Sequence, residues 1–437
     1  MRTLRSSLFL ACLFLGAGLH AQSLVINNPG IRGTWVIRNA TLHPVTSPSI
    51  PGGTIVFVNG VITAIGANVA VPAGAELIDG TGLHVYPGLI DSGTRIGLTE
   101  VSAVSGTNDI SELGDLNANV RVDVALNPHS TLIPVTRVNG VLTVITRPSG
   151  SLIAGQDALI RLAGWTPEEM TIKSPVGMHV NFPRTRTASF RPPDKDEEEK
   201  ADKAYKDQIQ KLRDVLRDAR AYARALDARR SDAALPRFDH DLVLEALVPV
   251  VGGEVPVVIH ADLERDIRAA VKFAEEEELR MILAGGDDVQ RVLDLLKEKQ
   301  IPVLLGPLWS LPPREDDPYD LLFSNPRALY EAGIPFALQT NDAHDVRNLP
   351  YQAANAAAFG LPRQAALEAI TIAPARIFGV EDRLGSLEVG KAATLFISDG
   401  DPLEIRTSIQ HIFIDGEKIP IDSKHIRLYE KFRQRPR

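Results

Sequence analysis

The chain has almost no cysteine and no excess of positive charge. Cys12 is the only cysteine in the 437 residues, and it lies in the first apolar segment. Disulfide bonds and cysteine chemistry are therefore excluded from the chain beyond that segment. The formal net charge is −8, whereas a nucleic-acid-binding surface needs a basic patch or stripe. Nucleic acid is therefore not an expected partner.

Long apolar runs are also scarce. Residues 8–19 form an apolar run that is too short to cross a bilayer comfortably. This run follows Arg2 and Arg5 and ends shortly before Ala21, an order that is typical of a secretory signal peptide. We therefore predict a signal peptide over residues 1–21, a secreted or periplasmic protein, and no membrane span.

Short β-rich runs occur at both ends of the chain. Residues 54–58 and 61–65 flank Asn59-Gly60, a strong hairpin signal. Residues 393–397 and 409–414 are similar short β-rich runs, and Asp415-Gly416 is predicted to form a turn after them. We predict that residues 33–85 and 380–421 form one small composite β-sandwich, although they lie at opposite ends of the sequence.

The middle of the chain alternates apolar runs with amphipathic stretches, an order that predicts an α/β fold with a parallel sheet. The candidate strands are residues 85–90, 141–145, 158–162, 178–181, 255–260, 280–283, 301–305 and 335–339. Periodicity alone does not distinguish an open sheet from a closed one. Eight units over this length favour a (β/α)8 TIM-like barrel, which we place at residues 86–379.

A charged segment interrupts this alternation. Residues 195–230 contain no glycine or proline, and apolar residues recur there at helical spacing, from Tyr205 to Leu226. One interpretation is a solvated helix with a single apolar stripe packed on the barrel, which we favour. The other is a lid or a partner-binding helix.

Residues 86–95 read Tyr-Pro-Gly-Leu-Ile-Asp-Ser-Gly-Thr-Arg. This segment resembles the first barrel strand of the amidohydrolase superfamily, whose pattern is P-G-x-I-D-x-H-x-H. The segments 370–379 and 384–393 also resemble C-terminal signatures of that superfamily. The resemblance covers nearly the whole chain after residue 21 and is closest to the exported, imidazolonepropionase-like branch. It implies the barrel and the sandwich predicted above.

In the superfamily, the two histidines of the first-strand pattern hold a catalytic metal. Here Gly93 and Arg95 occupy those two positions, and neither side chain can bind a metal cation. The guanidinium of an arginine can instead pair with a carboxylate through two hydrogen bonds. We therefore predict that Arg95 occupies the vacated metal position and pairs with Asp342.

The resemblance assigns two of the remaining site positions. It places His260 at the strand-five histidine and Asp342 at the strand-eight aspartate, which serves the family as metal ligand and general base. It implies either a divalent metal such as zinc on these two residues or no metal at all. Catalytic zinc usually has three protein ligands, so a third would have to come from His344, His179 or Glu100. We predict a substrate pocket that contains Arg95, His344 and Glu100.

Two functions remain open at this point. The resemblance implies an exported hydrolase that acts on the carbon–nitrogen bond of an amide or cyclic amide, with Asp342 and His260 as catalytic residues. The loss of the first-strand histidines favours a catalytically inactive binding protein or partner subunit. In either case we expect a small-molecule ligand, and a homodimer or a paired subunit is compatible with both.

Overall fold

The computed structural model describes residues 33–184, 195–236 and 238–436. The predicted signal peptide lies outside these residues. Within the described part of the chain, no helix is both long and apolar enough to cross a membrane.

The described residues form eighteen strands. They are β1 (Trp35–Leu42), β2 (Ile50–Val58), β3 (Val61–Gly66), β4 (Glu76–Asp79), β5 (His84–Pro87), β6 (Leu89–Thr94), β7 (Val141–Thr146), β8 (Ile153–Gln156), β9 (Ala158–Arg161), β10 (Thr171–Lys173), β11 (Met178–Asn181), β12 (Val257–Ala261), β13 (Met281–Gly285), β14 (Val303–Leu305), β15 (Phe336–Leu338), β16 (Leu395–Ser398), β17 (Ile409–Ile414) and β18 (Glu417–Ile419).

The α-helices of the described residues lie mostly between the later strands. They are α1 (Val122–Ala125), α2 (Leu132–Arg137), α3 (Pro167–Met170), α4 (Lys195–Ser231), α5 (Leu242–Val251), α6 (Glu264–Glu276), α7 (Leu293–Glu298), α8 (Leu321–Ala332), α9 (Leu349–Ala358), α10 (Arg363–Glu368), α11 (Ile372–Ile377) and α12 (Lys424–Arg433).

Strands from both ends of the chain share one sheet. Its order is β18-β17-β16-β5-β1-β2-β3, and β4 pairs with β1. The two ends meet where β16 pairs antiparallel with β5, with Phe396 opposite Tyr86. One face buries a separate apolar cluster that contains Ile37, Phe57 and Phe413. The association of the two ends is therefore seen in this sheet, while a packed sandwich and its boundaries at 33–85 and 380–421 stay predictions.

Two tight turns of this sheet lie against each other. Val58 pairs with Val61 across Asn59-Gly60, and Ile414 pairs with Glu417 across Asp415-Gly416. Both central residues of each turn have positive φ, as a type I′ hairpin turn requires. The Asn59-Gly60 hairpin signal is thus confirmed.

The middle of the chain is a mixed α/β structure with parallel strands. Strands β11, β12, β13, β14 and β15 pair consecutively in parallel, and β6 pairs in parallel with β7. The apolar run of β12 is buried along almost its whole length, as expected for a parallel strand covered on both faces. The order of these strands is that of a TIM-type barrel, although β6 and β15 do not pair as a ladder.

The prediction of eight parallel strands is wrong for the third predicted strand, which is antiparallel. The predicted strand at 158–162 corresponds to β9, which is antiparallel to β7, and β8 is antiparallel to β11. Asp157 alone separates β8 from β9. A parallel connection needs a crossover of a dozen or more residues, so this part of the chain cannot make a β/α repeat.

The charged segment forms α4, a helix of 37 residues. Its buried residues recur at helical spacing and include Leu212, Leu216 and Ala219. Arg220 beside them forms an ion pair with Glu277 at 2.8 Å, just beyond the end of α6. The helix therefore packs on the body through one apolar stripe, which agrees with the interpretation favoured above.

The contact between the two turns predicts a specific sensitivity to an added methyl group. A Cβ at Gly416 would lie 2.6 Å from the Cα of Gly60, whereas a Cβ at Gly74 would meet nothing within 4 Å. Both glycines have similar positive φ, 73° and 77°, so both alanine variants carry the left-handed strain of about 1 kcal/mol. We expect Gly416→Ala to lower the free energy of unfolding by about 2 kcal/mol more than Gly74→Ala. Urea unfolding of the two variants measures this, and equal losses would contradict the close contact.

Candidate active site

Two arginines stand side by side where two parallel strands end. Arg95 directly follows β6 and Arg147 directly follows β7, and the last residues of these strands, Thr94 and Thr146, are register partners. The backbone N–H of Arg147 donates to the Thr94 carbonyl at 3.0 Å. Barrel active sites lie at the carboxyl ends of the strands, so both guanidinium groups originate at the expected edge.

The two arginines have few partners. The Arg147 side chain is only 4 % exposed; it donates to the Pro148 carbonyl at 3.1 Å and to the side-chain oxygen of Asn341, which follows β15. The Arg95 guanidinium makes no hydrogen bond or ion pair with any described residue. The Nε atoms of both arginines are buried and unpartnered. Burial and the nearby charge of Arg95 lower the pKa of Arg147 to about 10.

A hydrogen-bonded chain of three side chains runs from the amino end of β11 to the carboxyl end of β12. The Nε2 atom of His179, on β11, is 3.0 Å from Oδ2 of Asp157. Its Nδ1 atom is 2.9 Å from Nε2 of His260, on β12. Asp157 is fully buried, and its Oδ1 accepts hydrogen bonds from the backbone N–H groups of Val176 and Gly177. The carboxylate is therefore held as an acceptor.

This chain determines which ring nitrogens carry protons. Burial is the largest cause that lowers the pKa of both histidines, and the positive charge of Arg147 lowers both further. The rings are therefore neutral. Because His179 donates from Nε2 to Asp157, its Nδ1 must accept the proton on Nε2 of His260. The Nδ1 atom of His260 is then left with a free lone pair, and it has no hydrogen-bond partner among the described residues.

Asp91 connects the first and last parallel strands. Its Oδ1 accepts from the N–H of Gly93 at 3.0 Å and of Thr340 at 3.2 Å, and its Oδ2 lies 2.6 Å from the Thr340 hydroxyl. The carboxyl group is fully buried. Burial raises its pKa to about 7, although these hydrogen bonds act in the opposite direction. The motif aspartate therefore joins β6 to Thr340, which follows β15, by hydrogen bonds.

The predicted pairing of Arg95 with Asp342 is wrong. The backbone N–H of Arg95 donates to the Asp342 carbonyl at 3.2 Å, but no ion pair joins their side chains in the described part of the chain. The Asp342 carboxylate accepts instead from the backbone N–H groups of His344 at 2.6 Å and Asp345 at 3.0 Å. A short helical turn begins there, and its unpaired N–H groups attract the carboxylate.

The other predicted pocket residues, Glu100 and His344, have contacts of their own. Glu100 accepts hydrogen bonds from the backbone N–H and the hydroxyl of Thr131, so it joins two loops. The His344 side chain is 40 % exposed, and its Nδ1 lies 3.7 Å from Asp342. Of the predicted site residues, the structure thus places Arg95 and His260 in one electrostatically coupled group, with Asp342, His344 and Glu100 engaged elsewhere.

Several residues of the site were missed by the sequence analysis. Asp157 is a lone carboxylate between two apolar runs, which is a signal of a buried, partnered charge. Arg147 follows β7 in the same way as Arg95 follows β6, and this repeated pattern was visible in the sequence. Asn341 and Gln339 gave no signal of their own, because only the fold brings them to these neighbours.

Gln339 occupies the space of the missing first-strand histidine. A Cβ at Gly93 would overlap the Oε1 atom of Gln339. The amide nitrogen of Gln339 donates to the carbonyls of Leu304 and Gly306, at 3.0 and 3.2 Å. These bonds hold the side chain across the position where a histidine at 93 would project, and its Oε1 is buried without a partner.

Comparison with known proteins agrees with this architecture. A model of the amidohydrolase family matches residues 323–422. The curated protein amidohydrolase tasK from Hapsidospora irregularis is 24% identical over 405 residues, which cover 83% of this chain and 39% of that protein. The chain therefore spans about two-fifths of the length of this relative.

Solved structures extend the likeness over most of the chain. An amidohydrolase from Thermotoga maritima superposes with a TM-score of 0.78 at 25% identity, covering 88% of this chain and 99% of the other. Molinate hydrolase superposes with a TM-score of 0.54 at 17% identity, over 90% of this chain and 96% of the other, and that likeness shows the fold alone. Together these matches show a likeness to the amidohydrolase superfamily over most of the chain.

Members of this superfamily commonly use divalent metals, but the described residues do not fit one. No group of three or more histidine, cysteine, aspartate or glutamate side chains is placed to hold a metal ion within residues 33–184, 195–236 and 238–436. Two arginines stand at the strand ends, and Gln339 fills the histidine position. A cation there would face two guanidinium charges. The predicted metal ligation by His260 and Asp342 is not supported, since Asp342 binds the backbone instead.

The raised pKa of Asp91 predicts a pH-dependent stability. A carboxyl whose pKa is higher in the folded state than its usual 3.8 binds protons more tightly when folded. The favourable contribution of Asp91 to the free energy of unfolding is complete below about pH 4 and is lost as the pH rises through about 7. Asp91→Asn keeps the acceptor oxygen and offers an N–H to the Thr340 hydroxyl. We expect urea midpoints of the wild type to fall between pH 5 and pH 8 and those of Asp91→Asn to fall less; equal slopes would contradict the raised pKa.

Proposed function

We propose that the chain is a hydrolase of carbon–nitrogen bonds in small amides or cyclic amides that works without a metal. The observation that carries the proposal is the Asp157–His179–His260 chain. It ends at the carboxyl edge of the parallel strands with an unprotonated nitrogen on His260. The likeness to amidohydrolases supports the reaction class, while the activity itself is the proposal.

His260 would act as the general base. Its Nδ1 lone pair is directed by the hydrogen bond that Nε2 donates to His179, as a base oriented by a second group requires. In this role it removes a proton from water as the water attacks the carbonyl carbon of the substrate, and it later returns a proton to the leaving nitrogen. The lowered pKa keeps the ring neutral and therefore competent as a base at neutral pH.

The substitution Asp157→Asn tests this mechanism with little change of shape. The amide oxygen would keep the hydrogen bonds from Val176 and Gly177, so the amide N–H2 would face His179. His179 and His260 would then both carry their protons on Nδ1, and the base would be lost. We expect hydrolysis of a panel of N-acyl amino acids and cyclic amides to fall by at least about 100-fold, as in His260→Ala.

Nitrogen-15 spectra of the histidine rings give a direct measurement beside the activity. The wild type should show both rings protonated on Nε2, and Asp157→Asn should show both protonated on Nδ1. His129→Ala, at an exposed loop position, serves as the control and should keep full activity. One equivalent of bound metal per chain, or loss of hydrolysis with a chelator, would contradict a metal-free site.

The second candidate is a catalytically inactive binding protein or partner subunit. Gln339 across the histidine position and Asp342 on the backbone favour it, because both adjustments replace the family's ligands with structural contacts. The greater length of amidohydrolase tasK is compatible with a partner unit. Absence of turnover over the whole panel, together with a ligand that raises the melting temperature, would support this candidate instead of hydrolysis.

We also propose that the protein is exported and that it belongs to the imidazolonepropionase-like branch of the superfamily. The predicted signal at residues 1–21 supports a secreted or periplasmic location, and the first-strand and C-terminal motifs support the imidazolonepropionase-like branch. Fractionation of cells that produce the full chain tests the location, since processing after Ala21 would shorten the protein by 21 residues. A homodimer or paired subunit is tested by the mass of the purified protein in solution.

A further inference from the structure

Two positive charges lie at the edge of the parallel strands without a matching negative charge. Arg95 and Arg147 stand at neighbouring strand ends, and no ion pair joins either guanidinium to a carboxylate in the described residues. The Nε atoms of both are buried and unpartnered. Leaving a buried charge unpaired costs several kcal/mol in a folded protein, so the arrangement is incomplete by itself.

The nearest acidic groups do not supply the missing charge. Asp157 and Asp91 both act on Arg147 through space. Asp157, however, is bound by His179 and two backbone N–H groups, and Asp91 by Thr340 and Gly93. Neither carboxylate forms an ion pair with Arg95 or Arg147 among the described residues. Asn341 supplies a neutral acceptor to Arg147, which satisfies one N–H without neutralising the charge.

We propose that Arg95 and Arg147 form an anion site that binds the carboxylate of the small-molecule ligand. A guanidinium offers two parallel N–H donors to a carboxylate, and charge-assisted hydrogen bonds of this kind are about twice as strong as neutral ones. Arg95 is the half of the site whose side chain has no other partner among the described residues. Arg147, which is 4 % exposed, is the fixed half.

The inference rests on the proposed function for its location, because the same edge carries His260. It narrows the substrate class to amides that bear a carboxylate, such as N-acyl amino acids. A neutral amide or lactam would leave the two charges as they are in the free protein. Binding and turnover are separable, because the arginines directly follow β6 and β7 and the base lies on β12.

Two related probes test the site by calorimetry. N-acetylglycine carries the carboxylate, and N-acetylglycinamide has nearly the same shape without the charge. We expect N-acetylglycine to bind at least about ten-fold more tightly than the amide, since one lost charge-assisted contact is worth about that factor. Equal affinities, or no binding of N-acetylglycine, would overturn the proposal.

Variants identify the groups that hold the carboxylate. Arg95→Gln should weaken N-acetylglycine binding by at least about ten-fold, and Arg95→Lys should restore part of it. Arg406→Gln, at an exposed position on the other part of the chain, is the matched control and should bind like the wild type. His260→Ala should still bind the probe, so failure of the proposed hydrolysis would leave this result unaffected. Unchanged binding by Arg95→Gln would overturn the assignment.

The stability of the free protein gives a second readout that needs no ligand. Because Arg95 is unpaired, Arg95→Gln should melt at the same temperature as the wild type or higher. A clear decrease would show that Arg95 already has a partner and would overturn the proposal. Inorganic phosphate is the remaining probe. If it binds in an Arg95-dependent way while N-acetylglycine does not displace it, the site holds a small inorganic anion and the proposed carboxylate is wrong.

Discussion

The arrangement of the site depends on the cost of burying charge where the parallel strands end. Asp157 and Arg147 are both almost inaccessible to water, but the surrounding residues compensate their charges differently. Asp157 is surrounded by three donors, so its charge is compensated by hydrogen bonds. Among the described residues, Arg147 donates to two neutral acceptors and forms no ion pair. The histidine chain begins at Asp157, whose hydrogen bonds are satisfied. The proposed ligand site contains Arg147, which has no ion-pair partner among the described residues.

The replacement of the first-strand histidines is a coordinated change rather than two isolated losses. Gly93 has no side chain, and Gln339 from the neighbouring strand end fills the space and is held there by two carbonyl oxygens. Oδ1 of Asp342 accepts two backbone N–H groups at the start of a helical turn. Each new contact satisfies a polar group that would otherwise be buried or unpaired. The strand framework is therefore kept with a glycine at position 93 and the Gln339 side chain beside it.

Asp91 shows why part of the superfamily motif persists when the histidines do not. Its carboxyl group joins β6 to Thr340 after β15, the two strands that a barrel must bring together. The aspartate of the motif therefore supports the fold, whereas the histidine positions support the chemistry. Substitution of the histidines leaves the connection between β6 and Thr340 intact, because Asp91 is hydrogen-bonded to backbone N–H groups and to one hydroxyl.

Local signals were sufficient for much of the architecture. The Asn59-Gly60 turn, the charged helix of residues 195–230 and most strands of the middle region follow from turn chemistry and periodicity, which act over a few residues. The motif at 86–95 was sufficient for the superfamily, and the position of His260 at a strand end follows from it. The antiparallel direction of β9 was missed, because an apolar run indicates a strand but not its direction.

What the sequence by itself determined is the set of elements, the superfamily and the absence of the two first-strand histidines. Only the tertiary structure decided which charges meet. Asp157, His179 and His260 are separated by 22 and 81 residues along the chain, and their proton positions follow from distances that no local pattern encodes. The same is true of Gln339 against Gly93 and of Arg147 beside Arg95. Hydrogen bonds and charge pairs act over a few ångströms in space, so their partners are selected by strand order and register.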